Sequence, residues 1–404
     1  MRPSKSSLVA ISELYEGLFD GPHATPAPAV EGPVFLGISN VTEDGHLDLS
    51  SIRHIAEDDF PKWTRRVEPR AGDLVFTYEA TLNRYAIIPN GFRGCLGRRM
   101  ALIRPNLARV DPRFLHYYFF TPEWREVVRK NTLAGATVDR LPLTKFPEFP
   151  VRVPSLSEQR RIARVLAAYD GLIDNSKRRI GVLERMARAL YREWFVLFRY
   201  PGAQTTSRMS TRIGRVPRDW VLRSPKEIAE VQYGFPFKSA LFSEDSAAGT
   251  PVVRIRDIPV GRSETYTTEP AASRYEIQNG DVLVGMDGDF HMCIWSSGRA
   301  LQNQRVARFR PSGEWSALHL LLALTAPVQA LNRAIIGTTV AHLGDSHIRG
   351  ILLGEPPPPV LARAKEVFEP IGREIATLQQ RIRNLRATRD LLLPRLMAGQ
   401  LSAG

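Results

Sequence analysis

The chain has 404 residues, 43% hydrophobic and 24% charged, which is enough for two or three domains with real cores. It carries no run of about 18 apolar residues and no charged-then-apolar leader at its start, so neither a membrane span nor a secretory signal is indicated and a cytoplasmic location is expected. Fifty-five Lys and Arg against 42 Asp and Glu give a net charge of +13, which points to a polyanionic partner. Most of the excess is arginine, shaped for phosphates and guanine edges, although arginine usage also follows genome base composition. Cys95 and Cys293 form no CxxC or zinc spacing and are expected as reduced, buried thiols.

An apolar run, Leu8 to Leu14, leads into a loop at Asp20-Gly21-Pro22-His23, Pro26 and Pro28. Strands are expected at Val34 to Ile38, Asp73 to Tyr78, Tyr85 to Ile88 and Met100 to Ile103, with helices near Pro112 to Phe120 and Glu123 to Lys130. Residues 1–154 thus read as an α+β segment. Pro154 marks a turn, and Ser155 with Glu158 is a capping-box signature that opens a long helix over 155–200. Leu166, Ile173, Ile180, Ala187 and Trp194 fall on one heptad position, and Tyr169, Ser176, Leu183, Leu190 and Leu197 on another. Such a narrow stripe favours a coiled-coil seam over an amphipathic helix lying on a globular core.

Tyr200 to Arg215 is rich in Ser, Thr and Gly and reads as a linker. A second globular segment, 201–358, then repeats the first. Ile228 to Val231 lines up with Ile11 to Leu14, Val253 to Ile258 with Leu36 to Val41, and Gly280 to Val284 with Gly72 to Phe76. Asn131 to Val138 is echoed by Ile335 to Val340. A second long helix over 359–404 carries Phe368, Ile375, Ile382 and Leu396 on one seam position and Ile371, Leu378, Leu385 and Leu392 on the other. Arg389 and Gly399 interrupt that stripe, and Pro370 either begins or kinks the helix.

The two helices match without a gap. Ile173, Ile180, Leu183 and Leu190 lie 202 residues before Ile375, Ile382, Leu385 and Leu392. Two like halves about a two-fold axis run their long helices antiparallel, so the expected fold is α+β. It has two α/β domains, two long antiparallel helices forming a coiled coil, and a pseudo-two-fold internal repeat, with each seam residue packed on its repeat partner. Residues 1–156 hold 20 basic and 18 acidic residues and 201–358 hold 17 and 15, so the helices carry most of the charge. Their arginines either screen the phosphates of a polyanion or meet acidic faces of partner proteins, unless they form a solvated charged face.

The order of parts carries a resemblance: Pro154-x-Leu156-x-Glu158-Gln159-x-x-Ile162, a long helix, a second segment opening with Trp220 and Gln232-Tyr233-Gly234, and a second helix ending Leu396-x-x-Gly399. This resembles the specificity subunit of type I restriction-modification systems across nearly the whole chain. Arg363-Ala364 replaces Glu-Gln before the second helix, and the Pro-x-x-Trp lead, Pro217 to Trp220, occurs only in the second half. The resemblance implies two target recognition domains, each reading one half of a bipartite asymmetric site in double-stranded DNA. It implies partners as well, two modification methyltransferase subunits docked on the helices and a restriction/translocase subunit. S-adenosylmethionine, ATP and Mg then belong to those partners and no cofactor to this chain. No G-x-x-x-x-G-K-[ST] loop, Asn-Pro-Pro-Tyr/Phe sequence or clustered catalytic carboxylates are present, so no enzymatic role is expected.

Candidate DNA contacts are loop residues able to meet base edges or phosphates: Asn83, Arg84, Arg98 and Arg99 in the first half, and Lys238, Arg254, Arg256, Asn303, Gln304 and Arg305 in the second. Thr137, Thr339 and His342, in the repeated Gly-Thr-Val element, fit a shared phosphate contact or a shared packing role. Phe235-Pro236-Phe237 fits an exposed loop or a buried strand end. Asp287-Gly288-Asp289 reads as a turn rather than a metal site, and His291 and His347 as ordinary surface or core residues. Two other functions remain open: a restriction-methylation enzyme with a divergent catalytic site, and a coiled-coil scaffold whose ends bind proteins.

Overall fold

A computed structural model describes residues 6–135, 137–203, 207–335 and 342–401. The chain divides into two compact units, one of Met1–Leu172 with Leu385–Gly404, the other of Ile173–Asn384. The fold is mixed α/β. In unit 1 the larger sheet is antiparallel, in the order Tyr15–Asp20, Met100–Pro105, Leu74–Thr77, Tyr85–Ile87. A smaller sheet sets Ala29–Leu36 between Arg53–His54 and, in parallel, Gly94–Leu96. Helices Pro112–Tyr118 and Pro122–Asn131 cover the larger sheet, each begun by a side-chain cap, Asp111 and Thr121, and each with proline at its start. Their apolar faces bury Phe114 and Trp124 with Phe76 and Phe146 in one core. The Trp124 Nε1 donates to the Tyr85 hydroxyl at 2.9 Å, so the indole is buried with its one donor satisfied.

Unit 2 repeats the larger sheet strand for strand, while its smaller sheet has five strands in place of three. Its larger sheet runs Ala229–Tyr233, Val306–Pro311, Val282–Gly285, Met292–Ile294. Its smaller sheet again sets a strand, Thr250–Val253, parallel to the one that leads into the larger sheet, Ala300–Gln302. The strand-then-turn pieces aligned in the sequence coincide, since Asn40 Oδ1 accepts from the Gly37 amide as Asp257 Oδ2 does from the Arg254 amide. The alignment of Ile228 to Val231 with Ile11 to Leu14 does not hold. Glu13 accepts from the amide of Ala10 and Glu227 from that of Ser224, and the strands that follow begin at Tyr15 and Ala229. The true partner of Leu14 is therefore Ile228, because short apolar runs match in several registers while a capped turn fits only one.

Residues 208–217 form no linker. Arg208–Thr211 and Gly214–Pro217 pair as a hairpin, turned by Gly214 at φ +106° and tied by Thr211 Oγ1 donating to the Gly214 carbonyl at 2.7 Å. Most of the echo at 335–340 lies outside the described residues.

The first long helix is Leu156–Tyr191, followed by a π-type turn at Arg192–Val196. Ser155 caps it, accepting from the Glu158 amide at 3.4 Å. Gln159, 1% exposed, explains the neighbouring motif position. Its amide donates to the Arg109 and Pro154 carbonyls and its oxygen accepts from the Asp111 amide, which sews the helix to the loop before Pro112.

The second long helix is Pro358–Met397 and continues through Pro370 without a break, so its start lies a dozen residues before that proline. Within unit 2 the helix segments run antiparallel: Arg179 pairs with Glu374 at 2.6 Å, and Ala187 and Trp194 share a core with Ala364 and Phe368. Within unit 1, Leu166 shares a core with Leu393 and Leu396.

Seam residues thus do not pack on their repeat partners. Leu190 joins the core of unit 2 and its counterpart Leu392 that of unit 1, since antiparallel helices pair the start of one with the end of the other. Leu166, Ile173, Ile375, Leu378 and Ile382 are buried, while Ile180, Leu183, Leu190, Leu385 and Leu392 are half-buried. Arg389 interrupts the stripe without wasting it, because its Nη1 lies 2.6 Å from Asp170 Oδ1.

Candidate nucleic-acid interface

In each unit one turn carries the chain from the smaller sheet into the larger: Gly97-Arg98-Arg99 in unit 1 and Asn303-Gln304-Arg305 in unit 2. A glycine presses on it from the neighbouring strand end. A Cβ on Gly21 would sit 2.1 Å from the Gly97 carbonyl oxygen, and one on Gly234 1.9 Å from that of Asn303. The last residue of each turn is an arginine held by a carboxylate. Arg99, at φ +70°, donates from Nε to Glu79 Oε1 at 3.0 Å, and Arg305 Nε lies 3.3 Å from Asp287 Oδ2. His342 joins the second pair, with Nδ1 2.6 Å from Asp287 Oδ1. The backbones correspond too, as Glu79 bridges to Arg140 where Asp287 bridges to His342.

The structure therefore brings Arg98, Arg99, Asn303, Gln304, Arg305 and His342 to equivalent places in two units. Asn83 and Arg84 lie in the adjacent hairpin loop. Asn83 has φ +61°, as Phe290 has φ +44° at the matching position, and its Oδ1 accepts from the Tyr85 hydroxyl. Arg84 is largely engaged, donating to the Val41 carbonyl at 3.3 Å and pairing with Glu43 at 3.1 Å. Arg254 is folded inward: it pairs with Thr265, lies 5.6 Å from the Phe242 ring, and has its guanidinium pKa drawn down by burial. Arg256 and Lys238 are exposed, as is Thr137. Thr339 lies outside the described residues.

Beside the unit 1 turn is a cleft of about 390 Å³ lined by Thr25, Ser39, Ser51, Arg53, Arg98 and Arg99 among others. Arg53 and Glu79 carry no signal in the sequence, and Asp287 reads there only as part of a turn. The repeated Gly-Asp pair relates the two carboxylates, because its offset carries Glu79 onto Asp287. Phe237 is buried and Pro236 exposed, so that segment is a strand end with an exposed tip. Among the described residues no group of three or more His, Cys, Asp or Glu could hold a metal ion, and no helix is long and apolar enough to cross a membrane.

Chemically, these turns offer guanidinium and amide groups on a fixed backbone, suited to anionic or base-edge partners. A family model described as the type I restriction modification DNA specificity domain matches residues 48–185. That stretch is similar to a type I DNA specificity domain. Along its length the chain is 25% identical over 370 residues to the type I restriction enzyme MjaIX specificity subunit of Methanocaldococcus jannaschii, covering 86% of this chain and 82% of that one. It is also 31% identical over 191 residues to the EcoBI specificity subunit of Escherichia coli, covering 45% and 40%. The crystal structure of the type I restriction-modification S subunit from M. genitalium superposes with a TM-score of 0.60 at 13% identity, over 98% of this chain and 97% of that one. The specificity-domain match ends inside the first long helix, at residue 185, and so joins the unit 1 turn to the helix that Gln159 anchors.

Proposed function

We propose that this chain is the non-catalytic DNA-specificity subunit of a type I restriction-modification complex, with residues 1–154 and 201–358 as target recognition domains that each read one half of a bipartite asymmetric site. The observation that carries this is the duplication of the turn. Two units whose larger sheets share one strand order present the same glycine-braced, carboxylate-anchored turn, with different residues at its exposed, unanchored position. A single device built twice with different tips suits a site whose halves differ in sequence.

The long helices, in this reading, form an antiparallel coiled coil, set the spacing between half-sites and dock the methyltransferase subunits. A helix of 36 residues, such as Leu156–Tyr191, is about 54 Å long at 1.5 Å per residue. Methyl transfer and cleavage, with S-adenosylmethionine, ATP and Mg, belong to the partner subunits, and the complex works where genomic DNA is, in the cytoplasm. The test is host genomic DNA sequenced for methylated bases with and without this chain. A bipartite motif that disappears on deletion is the expected result; a motif untouched by deletion rules the reading out.

A further inference from the structure

The repeated turn differs between units at its one exposed, unanchored position, which is Arg98 in unit 1 and Gln304 in unit 2. In both units the next residue is an arginine tied to a carboxylate, Arg99 to Glu79 and Arg305 to Asp287. The tied arginine has part of its fork occupied and its charge offset. Arg98 and Gln304 are both exposed, and no side chain of a described residue engages either one. Arg98 borders the cleft with Arg53 and the hydroxyls of Thr25, Ser39 and Ser51 on one side and the apolar Phe35 and Ile38 on the other. The backbone beneath is fixed, since the close approach of Gly21 or Gly234 leaves no room for the turn to shift. A side chain presented this way loses little freedom on engaging a partner.

We propose that Arg98 reads a guanine in the half-site of unit 1 and that Gln304 reads an adenine in the half-site of unit 2. The chemistry follows from the two groups. A guanidinium offers two parallel donors that match guanine O6 and N7, while a carboxamide offers one donor and one acceptor that match adenine N7 and N6. This assignment rests on the DNA-recognition reading above and adds base identity to it. A bidentate contact discriminates against a wrong base by roughly 5- to 150-fold.

The test uses the chain co-expressed with its methyltransferase partner, reading the methylated motif of host DNA for the unaltered chain and for R98Q and Q304R. R98Q is expected to change one guanine position in one half of the motif, toward adenine or to no preference. Q304R is expected to change one adenine position in the other half, with the spacer and the remaining bases retained. Motifs unchanged in both variants overturn the assignment, as does a change at a position that is not guanine for Arg98 or not adenine for Gln304. Where a variant methylates too little to read, the purified complex is bound to four duplexes that differ only at that base. Lost preference supports the assignment, and an equal fall on all four overturns it. An unaltered chain that yields no bipartite motif overturns the recognition reading itself, which separates that failure from a wrong base.

Discussion

The Arg104 guanidinium holds the Asp73 carboxylate at two points, Nε to Oδ1 at 3.0 Å and Nη2 to Oδ2 at 2.8 Å. Asp73 also accepts from the Arg70 amide, so this carboxylate closes the turn at Gly72 and locks the strand that follows it. Arg310 and Asp281 repeat the pair in unit 2, at 2.8 and 2.9 Å, with Asp281 accepting from the Gln278 amide. Beside each aspartate the arginine pKa rises, and the larger cause is the hydrogen bond to the carboxylate.

Removing either carboxylate leaves a partly buried arginine without its counter-charge. Asp73→Asn is expected to cost about 2 to 3 kcal/mol, less than a fully enclosed pair because Arg104 keeps some contact with water. Asp281→Asn is expected to cost more, since Arg308, with a side chain 1% exposed, also lies 3.9 Å from that carboxylate. Denaturant titration of the two variants checks the order; equal and small losses would contradict it.

His319 predicts an acid limb. Its ring is fully buried and stacks on Trp315 at 4.2 Å, and burial lowers its pKa to about 3. Unfolded, it takes up a proton below about 6.5 while the native ring does not, so stability held above that pH is lost as pH falls from about 6.5 toward 3. The slope approaches about 1.4 kcal/mol per pH unit. His319→Phe, which keeps the stacking, should flatten this limb in a stability-versus-pH series.

Asp170 and Arg389 couple the two long helices inside unit 1, and Asp170 also accepts from the Tyr117 hydroxyl. Asp170→Ala is expected to cost about 2 kcal/mol, because Arg389 loses the more buried of its two carboxylates and keeps only the exposed Asp390. Replacing both residues by leucine should recover most of that loss. A double-mutant cycle measures the coupling, and additive losses would show that the pair does not act as a unit.

Gly234→Ala places a methyl group on the Asn303 carbonyl, so the turn must shift. A stability loss of about 1 to 3 kcal/mol is expected. In binding assays with half-site variants, the proposed function predicts weaker discrimination in the half assigned to unit 2 and none lost in the other. Weakening in both halves alike would argue against two independent readers.

Much of the fold is legible in the sequence because it is local. The strands at Leu74–Thr77 and Met100–Pro105, the capped helix starts and the 202-residue match of the long helices all follow from short-range pattern. What is not legible is pairing across the chain. The sheet orders, the match of Leu14 with Ile228, and the anchoring of Arg99 by Glu79 depend on residues far apart in sequence, where no periodicity speaks. Suitable chemistry in a loop is all that the sequence shows of a DNA contact. That criterion fits Arg98 and Gln304, whose side chains no described residue engages, equally with Arg84 and Arg254, which the fold consumes.

Unit 2 is one uninterrupted stretch, while unit 1 takes its core from both sides of it, Leu166 meeting Leu393, Leu396 and Met397. On the ribosome this delays the completion of unit 1. The first unit to be translated keeps part of its apolar surface uncovered until the segment from Leu385 onward emerges. A nascent chain stalled before Leu393 therefore exposes the unit that was made first.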